Sequence, residues 1–535
     1  MAPCWQWPKA PACFAAWAPT PNCRDWHEVR GPDRICCGGF WLRCCLPWHC
    51  SWRCAAERAN NSTSGIVVRL NSEHLAASRR RFLLCGGSLA AALGLGRIGG
   101  LLASAGNPIA DNRAGYGPLA PVRDLTTGLP LLTLPAGFSY RSFGWEGDAL
   151  VGGGACPGAH DGMGVVAADG GVITLIRNHE VVRASGTFAP AAASYDPVCA
   201  GGTVTLRYDP DRGELLGATP SLSGTLQNCA GGTTPWGSWL SCEEFVSSAG
   251  ARSVLQDGQH VLSRDHGFVF EVPGEGLSNA EPLVAMGQFR HEAASVHARS
   301  GIVYLTEDHS PDAGFYRFVP RVPGQLHAGG RLQMLAVEDR ADLRRGMRVG
   351  ALLPVHWVDI EHPDRGIEGD GDITGVLSQG VAAGGSRFSR LEGCIATDEV
   401  VYFTSTDGGD LAAGQVWGYF PDRQVLVLIF ESTDRAVLDY PDNVVLSPRG
   451  GLVMCQDSAG EAVVEKLHGL TAQGEVFAFA GNNVVLAGER GFNGDFRNSE
   501  WAGACFSPDG RWLFANIYRP GFSVAITGPW QQGLI

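Results

Sequence analysis

The feature that most constrains the fold is a strand pattern that occurs six times between residues 172 and 520. Each time, a short apolar segment with the alternation of a β-strand ends in a polar group able to bind a metal ion. The six ends are Asn178-His179-Glu180, Cys242-Glu243-Glu244, Glu307-Asp308, Thr406-Asp407, Gln456-Asp457 and Asn516. They follow one another at intervals of 64, 64, 99, 50 and 59 residues. Units of this length are too small to close a core alone, so the repeat predicts the six blades of a β-propeller.

Composition agrees with an all-β fold. The chain has 73 glycines and 31 prolines among 535 residues, which favour many short strands and turns over long helices. No segment after residue 105 shows a long helical pattern, and none is long and apolar enough to span a membrane. We therefore predict one all-β domain over residues 106–535, a six-bladed β-propeller.

A second potential ligand stands 15 to 19 residues before each strand end. These upstream residues are Asp161, Asn228 or Cys229, Glu292, Glu392, Asp442 and Glu500. In four of the six pairs, the residues between the two members read as a hairpin, with turns such as Ser447-Pro448-Arg449-Gly450. An antiparallel hairpin returns its last residue beside its first, so the two members of a pair are expected to meet at one end. Acids also border strands because turns are polar, which explains any single pair. Six pairs in phase predict clustered carboxylates, which repel one another unless cations neutralise them.

The pattern predicts a face of the propeller that binds metal ions. The predicted ligands are Glu180, Cys242, Glu243, Glu244, Glu292, Asp308, Glu392, Asp442, Asp457 and Glu500. Carboxylate oxygens are hard ligands that suit calcium, manganese or ferric iron. A thiolate is soft, so Cys242 would indicate iron or zinc beside the hard-ligand sites. The alternatives for Cys242 are a buried structural cysteine and a disulfide partner.

Arg390 is the predicted catalytic residue. It stands two residues before Glu392 and would lie at the same opening if Glu392 binds metal. A guanidinium there could bind two phosphate oxygens in a forked geometry, although a salt bridge to a neighbouring acid is the alternative. Metal ions with an arginine suit phosphoryl transfer, because the charge on the transferring group needs stabilising. Sugar hydrolysis by two carboxylates would not need this many acids.

Residues 1–65 differ from the rest of the chain. They hold nine of the 17 cysteines and seven of the 15 tryptophans. A disulfide-rich module or a zinc site would explain the cysteines, but no clean Cys-x-x-Cys pairing repeats. We interpret this stretch as an N-terminal extension translated upstream of the true start codon, and we expect it to be disordered.

Residues 66–105 are predicted to form a twin-arginine signal peptide. Residues 78–83 read SRRRFL, a glycine-rich apolar segment follows, and Ala103-Ser104-Ala105 fits a cleavage site. This predicts export by the twin-arginine machinery to the periplasm or the exterior of a bacterial cell, without a stable membrane anchor. The exported part has 29 basic and 49 acidic residues, a net charge of −20, which argues against a nucleic-acid partner.

Several stretches resemble the signature sequences of PhoX-type alkaline phosphatases, in particular a shorter branch of that family. They are residues 228–244 (NCAGGTTPWGSWLSCEE), 289–292 (FRHE), 304–308 (YLTED), 314–318 (GFYRF), 390–393 (RLEG), 441–443 (PDN) and 501–530. The tryptophan-rich block that ends in Cys-Glu-Glu is the most specific of these. The resemblance spans nearly all of residues 120–530.

The resemblance implies a six-bladed propeller with ferric iron (Fe3+) and calcium (Ca2+) at its axis, a cysteine thiolate on iron, and hydrolysis of small-molecule phosphate esters at alkaline pH. Matched motif by motif, it implies metal binding by Cys242, Glu292, Glu392, Asp308 and an acid of the Glu243-Glu244 pair. It also implies that Arg390 contacts the substrate phosphate.

Two other functions fit a face of clustered acids. One is a non-catalytic, calcium-stabilised propeller used for binding, and the other is a different propeller hydrolase, such as a lactonase or a phytase-like enzyme. The sequence has no Gly-x-Ser-x-Gly nucleophile elbow and no Walker loop, which argues against a serine hydrolase of that type and against a P-loop NTPase.

Overall fold

Short segments of alternating polar and apolar residues, bounded by glycine, proline and aspartate, form antiparallel β-strands along most of the described chain. The computed structural model describes residues 115–368, 371–458 and 463–535. The interpretation of residues 1–65 and the signal-peptide prediction for residues 66–105 concern segments outside these described residues.

The strands are numbered in chain order. The first fifteen are β1 (Ala120–Val122), β2 (Leu132–Leu134), β3 (Ser139–Phe143), β4 (His160–Asp169), β5 (Val172–His179), β6 (Gly201–Asp209), β7 (Glu214–Thr225), β8 (Asn228–Thr233), β9 (Ser238–Glu243), β10 (Arg252–Leu255), β11 (Gly258–Val261), β12 (Val269–Pro273), β13 (His291–Val296), β14 (Val303–Glu307) and β15 (Phe315–Pro320). The next fifteen are β16 (Gly330–Val337), β17 (Leu352–Asp359), β18 (Leu391–Ala396), β19 (Val401–Ser405), β20 (Gln415–Phe420), β21 (Val425–Glu431), β22 (Pro441–Leu446), β23 (Leu452–Gln456), β24 (Lys466–Leu470), β25 (Val476–Asn482), β26 (Val485–Ala487), β27 (Asn493–Asp495), β28 (Trp501–Phe506), β29 (Leu513–Ile517) and β30 (Phe522–Thr527).

Helical structure is minor in the described residues. The one α-helix among them is α1 (Gly375–Ala382). Single 3₁₀ turns lie at Ala191–Ala193, Val284–Met286, Leu326–Ala328, Pro421–Arg423, Glu489–Gly491 and Trp530–Gln532. Within residues 115–368, 371–458 and 463–535, no helix has the length and apolar character needed to cross a bilayer.

Strands that are neighbours in sequence are mostly neighbours in the sheets. Two sheets have four strands, in the orders β4-β5-β6-β7 and β28-β29-β30-β3. A third has the order β12-β9-β8, and a fourth has the order β1-β2-β25-β24-β23-β22. The strands β13 to β16 and β18 to β21 are the two arms of a nine-stranded sheet, joined through β17.

The first strand of each of these six groups contacts its counterparts around a common centre. β4 contacts β8, β8 contacts β13, and the succession continues through β18, β22 and β28 back to β4. The later strands of each group lead outward from this ring. The prediction of an all-β fold is therefore confirmed, and the arrangement of the sheets is propeller-like.

The first strands approach so closely that some positions have no room for a side chain. A Cβ atom on Gly162 in β4 would lie 2.7 Å from the Cα of Ala230 in β8. A Cβ atom on Gly393 in β18 would lie 2.5 Å from the backbone nitrogen of Val444 in β22. Real Cβ contacts are longer than this, so glycine at these positions allows the ring to close.

Apolar side chains fill the spaces between adjacent sheets. Between the sheets that start at β13 and β18, Phe315 and Phe403 stack with ring centroids 4.1 Å apart, and Trp417 is fully buried beside them. Each pleated sheet buries both faces in this arrangement, which explains why strands such as β14 and β19 are buried at every position.

The early strand β3 completes the last sheet by pairing with β30. Tyr140 in β3 is fully buried, and its hydroxyl accepts hydrogen bonds from the backbone N–H groups of Leu131 and Leu132 at 2.8 and 3.2 Å. The same hydroxyl donates to the carbonyl of Val122 at 3.2 Å. Tyr140 therefore links the segment that closes the ring to the preceding sheet.

We expect Tyr140→Phe to lower the free energy of unfolding by about 1–3 kcal/mol, because it leaves buried backbone groups without their partner. Tyr208→Phe is a matched control, since the Tyr208 hydroxyl is also buried but has no hydrogen-bond partner in the part of the chain that the structure describes. The control should change stability by no more than about 0.5 kcal/mol. Urea unfolding followed by tryptophan fluorescence measures both. Equal losses in the two variants would contradict the linking role of Tyr140.

Candidate metal centre

A β-bulge lies at the inner end of each first strand. The pairing with the second strand shifts between His160 and Met163, Asn228 and Gly231, His291 and Ala294, Leu391 and Cys394, Pro441 and Val444, and Ala502 and Cys505. In five strands the first extra residue is a predicted ligand or its alternative: Asp161, Cys229, Glu292, Glu392 and Asp442. A bulge bends the strand and re-aims a side chain, so it directs these five groups away from the pleat.

The same backbone hydrogen bond closes every inner hairpin. The residue that follows the second strand donates its N–H to the carbonyl of the residue that precedes the first strand. The donor and acceptor pairs are Glu180 with Ala159, Glu244 with Gln227, Asp308 with Arg290, Thr406 with Arg390, Asp457 with Tyr440, and Tyr518 with Glu500. Both ends of each hairpin therefore reach the same place, as the spacing of 15 to 19 residues predicts.

In two of these hairpins, the residue whose N–H closes the hairpin is not the residue that the sequence indicated as a potential ligand. In the fourth hairpin the returning residue is Thr406, and the carboxylate of Asp407 lies outside the groups of candidate ligands found among the described residues. In the sixth hairpin Tyr518 returns instead of Asn516, whose side chain donates to the backbone carbonyl of Asp161.

Within the described residues, five groups of three potential ligands bring their ligand atoms within 4.8 Å of one another, and three of these groups share members: Asp161 with Glu180 and Cys229, Cys229 with Glu244 and Glu292, and Glu292 with Glu392 and Asp442. Because Cys229 and Glu292 each belong to two groups, the seven side chains form one continuous cluster. We call this cluster the acidic centre. Its members come from the first five of the six hairpins.

Burial and mutual repulsion raise the pKa values of these carboxyl groups. Burial is the largest cause in each case, and neighbouring carboxylates add to it. Glu180 raises the pKa of Asp161 further, and Asp457 raises that of Glu500. The carboxyls with a raised pKa are Asp161, Glu180, Glu244, Glu292, Glu392, Asp442 and Glu500. Glu500, from the sixth hairpin, is therefore close enough to the acidic centre for its carboxylate to be repelled by the other acids.

Two arginines lie at the edge of the acidic centre, at equivalent positions in the third and fourth hairpins. Arg390 Nε lies 3.1 Å from Asp308 Oδ1, and Arg390 Nη2 lies 2.8 Å from Glu392 Oε1. Arg290 forms an ion pair with Glu244, and its Nη2 lies 3.8 Å from Asp308 Oδ2. The side chains of Arg290 and Arg390 remain 32% and 27% exposed.

A comparison with models of known protein families identifies the family of this chain. The family model of alkaline phosphatase PhoX matches residues 114–208 and 199–521, which is more than half of the 535 residues. The chain belongs to the alkaline phosphatase PhoX family. It is therefore an alkaline phosphatase-like hydrolase of a metal-dependent family, and its described residues include groups of side chains that could hold a metal ion.

A solved structure of the same family agrees on the fold. PhoX of Pseudomonas fluorescens in complex with vanadate, a transition state analogue, is 17% identical, with 79% of this chain and 99% of that chain covered and a TM-score of 0.57. TolB of Acinetobacter baumannii (12% identity, 68% and 65% covered, TM-score 0.31) and hydrazine synthase of Kuenenia stuttgartiensis (11% identity, 68% and 74% covered, TM-score 0.29) are too distant to inform function. No curated protein matches the sequence.

The cysteine that joins the acidic centre of this PhoX-family chain is Cys229, and the structure does not place Cys242 there. The Cys229 thiol lies 3.2 Å from Glu292 Oε1 and 3.6 Å from Asp161 Oδ2. Cys242 is fully buried in an apolar cluster with Leu240 and Val269. All seven cysteines of the described residues are free thiols, so a disulfide does not explain Cys242.

The structure also separates Glu243 from Glu244. Successive side chains of a strand point to opposite faces, so Glu243 turns away from the acidic centre. Its carboxylate accepts hydrogen bonds from the backbone of Leu226, Gly267 and Phe268, and from His266 Nδ1 at 2.7 Å. Glu243 thus holds neighbouring loops together, and only Glu244 of the pair belongs to the acidic centre.

The donor set of the acidic centre fits metal ions. Its carboxylates are hard oxygen ligands, and Cys229 adds one soft ligand. Among the described residues, no hydrogen-bond partner reaches the buried Oε2 atom of Glu292, a costly arrangement for a carboxylate that a cation would relieve. Burial and nearby acids raise the pKa of the Cys229 thiol well above its usual value, so a thiolate there needs a positive charge beside it.

Removal of divalent and trivalent ions should make stability fall as pH rises. A carboxyl with a raised folded-state pKa favours the fold fully below its ordinary pKa near 4, and this contribution is lost as pH rises through the raised value. The melting temperature of chelated protein should therefore decrease from about pH 5 to pH 8, and Glu292→Gln should weaken this dependence. Added divalent cations should raise the melting temperature again. If the melting temperature of the chelated protein instead rises over that range, the carboxylates of the acidic centre do not repel one another as proposed.

Proposed function

We propose that this chain is an exported phosphomonoesterase that hydrolyses small-molecule phosphate esters at the acidic centre, with calcium and ferric iron as its metal ions. The observation that carries the proposal is the pair Arg290 and Arg390 at the edge of a buried carboxylate cluster in a PhoX-family chain. Two partly exposed guanidinium groups beside a metal-binding cluster suit a phosphoryl group, which presents several charged oxygens at once.

We infer which side chains would hold the ions from their chemistry. Cys229 with Glu292 and Glu244 combines a soft and two hard ligands, which suits ferric iron. Glu180, Glu392 and Asp442 offer oxygen ligands only, which suits calcium. When bound, the ions would neutralise the acids and stabilise charge on the phosphoryl group.

The arginines have a role that follows from their position. Arg390 has a left-handed backbone conformation, with φ of 40°, which a residue other than glycine adopts only when the surroundings impose it. This conformation turns the side chain from the hairpin corner toward Asp308 and Glu392. With the acids neutralised by cations, the Arg390 and Arg290 guanidinium groups are released to donate to phosphate oxygens.

We further propose that the propeller has six blades and that the protein is exported by the twin-arginine machinery to the periplasm or the exterior of a bacterial cell. Six first strands in contact around one ring, and six identical closing hydrogen bonds, support the blade number. The sequence SRRRFL followed by Ala103-Ser104-Ala105 supports export.

Arg390→Ala should reduce kcat/KM for p-nitrophenyl phosphate by about 10²–10³-fold, the loss typical for removal of one preorganised donor to a charged transition state. Arg390→Lys should recover only part of this, because an ammonium cannot donate in a forked geometry. Circular dichroism and bound-metal content serve as controls for folding. A non-catalytic propeller would show no chelator-sensitive turnover to lose, and a lactonase would turn over lactones rather than the phosphate ester.

Cys229→Ser and Cys242→Ser form a matched pair that tests the iron assignment. We expect Cys229→Ser to lose bound iron and any visible absorption band of a thiolate on ferric iron, because Cys229 is the thiol within the acidic centre. Cys242→Ser should keep both and lose stability instead, because it places a hydroxyl in an apolar cluster. Loss of iron from the Cys242 variant alone would reverse the assignment.

A further inference from the structure

A cavity of about 480 Å³ opens beside the acidic centre. Its wall includes Glu180, which is also a member of the acidic centre, and Tyr518, which hydrogen-bonds to Glu180. Gln227 connects this wall to the next hairpin by donating to Glu180 at 3.1 Å and to Glu244 at 2.8 Å. The volume lies in the range of pockets that hold small organic molecules. A group attached to a phosphate at the acidic centre could therefore extend into this cavity.

One wall of the cavity is aromatic and comes from a segment outside the repeated hairpins. Phe492 and Phe496 line the cavity and are half-buried. Phe492 immediately precedes β27 and Phe496 immediately follows it, in the hairpin of β26 and β27 that is inserted between β25 and β28. Aromatic faces of this kind pack against planar apolar groups.

The inserted hairpin is held in a fixed position. Phe492 stacks on Trp145 with ring centroids 6.4 Å apart, and Arg490 lies 5.1 Å above the same tryptophan ring. Arg490 also forms an ion pair with Asp148. Asn482 donates to the carbonyl of Phe496 at 2.8 Å. The aromatic wall is therefore preorganised, which lowers the entropy cost of binding.

The lining of the cavity also carries positive charge. Arg183 and Arg519 line it, and both side chains are exposed. Within the part of the chain that the structure describes, neither guanidinium has a carboxylate oxygen within 4.0 Å, whereas the exposed Arg212 and Arg511 each pair with a nearby aspartate. Glu146 also lines the cavity. With Glu180 engaged at the metal centre, two arginines face one glutamate, and the balance favours an anion.

We propose that this cavity is a subsite for the leaving group, and that it selects phosphate monoesters of planar, apolar alcohols that carry a second negative charge. The inference rests on the proposed function, because it requires the phosphate to bind at the acidic centre. Phe492 and Phe496 pack against the planar part, and Arg519 with Arg183 neutralises the second anion. Specificity thus comes from residues that take no part in metal binding.

Three substrates test the aromatic contact and the charge contact separately. They are phenyl phosphate, 3-carboxyphenyl phosphate and glycerol 2-phosphate, each assayed with added calcium. The preference for 3-carboxyphenyl over phenyl phosphate, as a ratio of kcat/KM values, should fall about fivefold in Arg519→Gln. The preference for phenyl phosphate over glycerol 2-phosphate should fall about fivefold in Phe492→Leu and Phe496→Leu, which keep apolar packing but lose the aromatic face. Ratios are compared with the wild type, so the chemistry of the leaving group cancels.

Two variants serve as controls. Arg212→Gln removes the same charge from the turn between β6 and β7, at the outer end of that hairpin, and Phe506→Leu removes a half-buried ring from the outer end of β28. Neither control should change either ratio. Unchanged ratios in the Arg519, Phe492 and Phe496 variants would overturn the subsite while leaving the phosphatase intact. A wild type that hydrolyses none of the three esters would instead overturn the proposed function and the subsite with it.

Discussion

Repulsion between buried carboxylates is the constraint on which the rest of this structure depends. Two like charges about 4 Å apart repel by about 4 kcal/mol at an effective dielectric constant of 20, and the net stability of a domain is only about 5–15 kcal/mol. Six carboxylates and a thiol share one cluster in this chain. They can remain ionised only with cations among them, from bound metal or from Arg290 and Arg390.

The chain assembles this cluster by repeating one short device. A left-handed corner at Ala159, Gln227, Arg390 and Tyr440 turns the backbone at the start of a first strand, with φ between 40° and 52°. A bulge one residue later then re-aims the next side chain toward the centre. Because these backbone features recur around the ring, one local geometry positions ligands from hairpins that lie far apart in sequence.

Sequence reasoning predicted the class of fold and the hairpins well, because strand alternation and turn residues are local signals. It placed both ends of each hairpin together, and Glu180, Glu244, Glu292, Glu392 and Asp442 do meet in the acidic centre. Sequence reasoning was less able to predict toward which face of a strand each side chain points. Cys242 and Glu243 belong to a polar run at a strand end, but the pleat sends one into an apolar cluster and the other toward His266.

The choice of Cys229 over Cys242 depends on a bulge, which no residue type announces in the sequence. Asp407 illustrates the same limit, since Thr406 rather than its acidic neighbour occupies the returning position. Arg290, by contrast, could have been found from the sequence. It precedes Glu292 by two residues, the same offset that singled out Arg390 before Glu392, and the structure places the two arginines at equivalent corners.

The candidate metal centre and the proposed leaving-group subsite lie in different kinds of segment: the first in the repeated hairpins and the second partly in an inserted hairpin. The ligands and the two arginines all lie in the repeated hairpins, where a change in backbone geometry would disturb the whole ring. The aromatic wall of the neighbouring cavity flanks β27, in a hairpin inserted between β25 and β28 and separate from the repeated hairpins. An enzyme built in this way can acquire a preference among phosphate esters by changing an inserted hairpin, while the acidic centre keeps the arrangement that tolerates so much clustered charge.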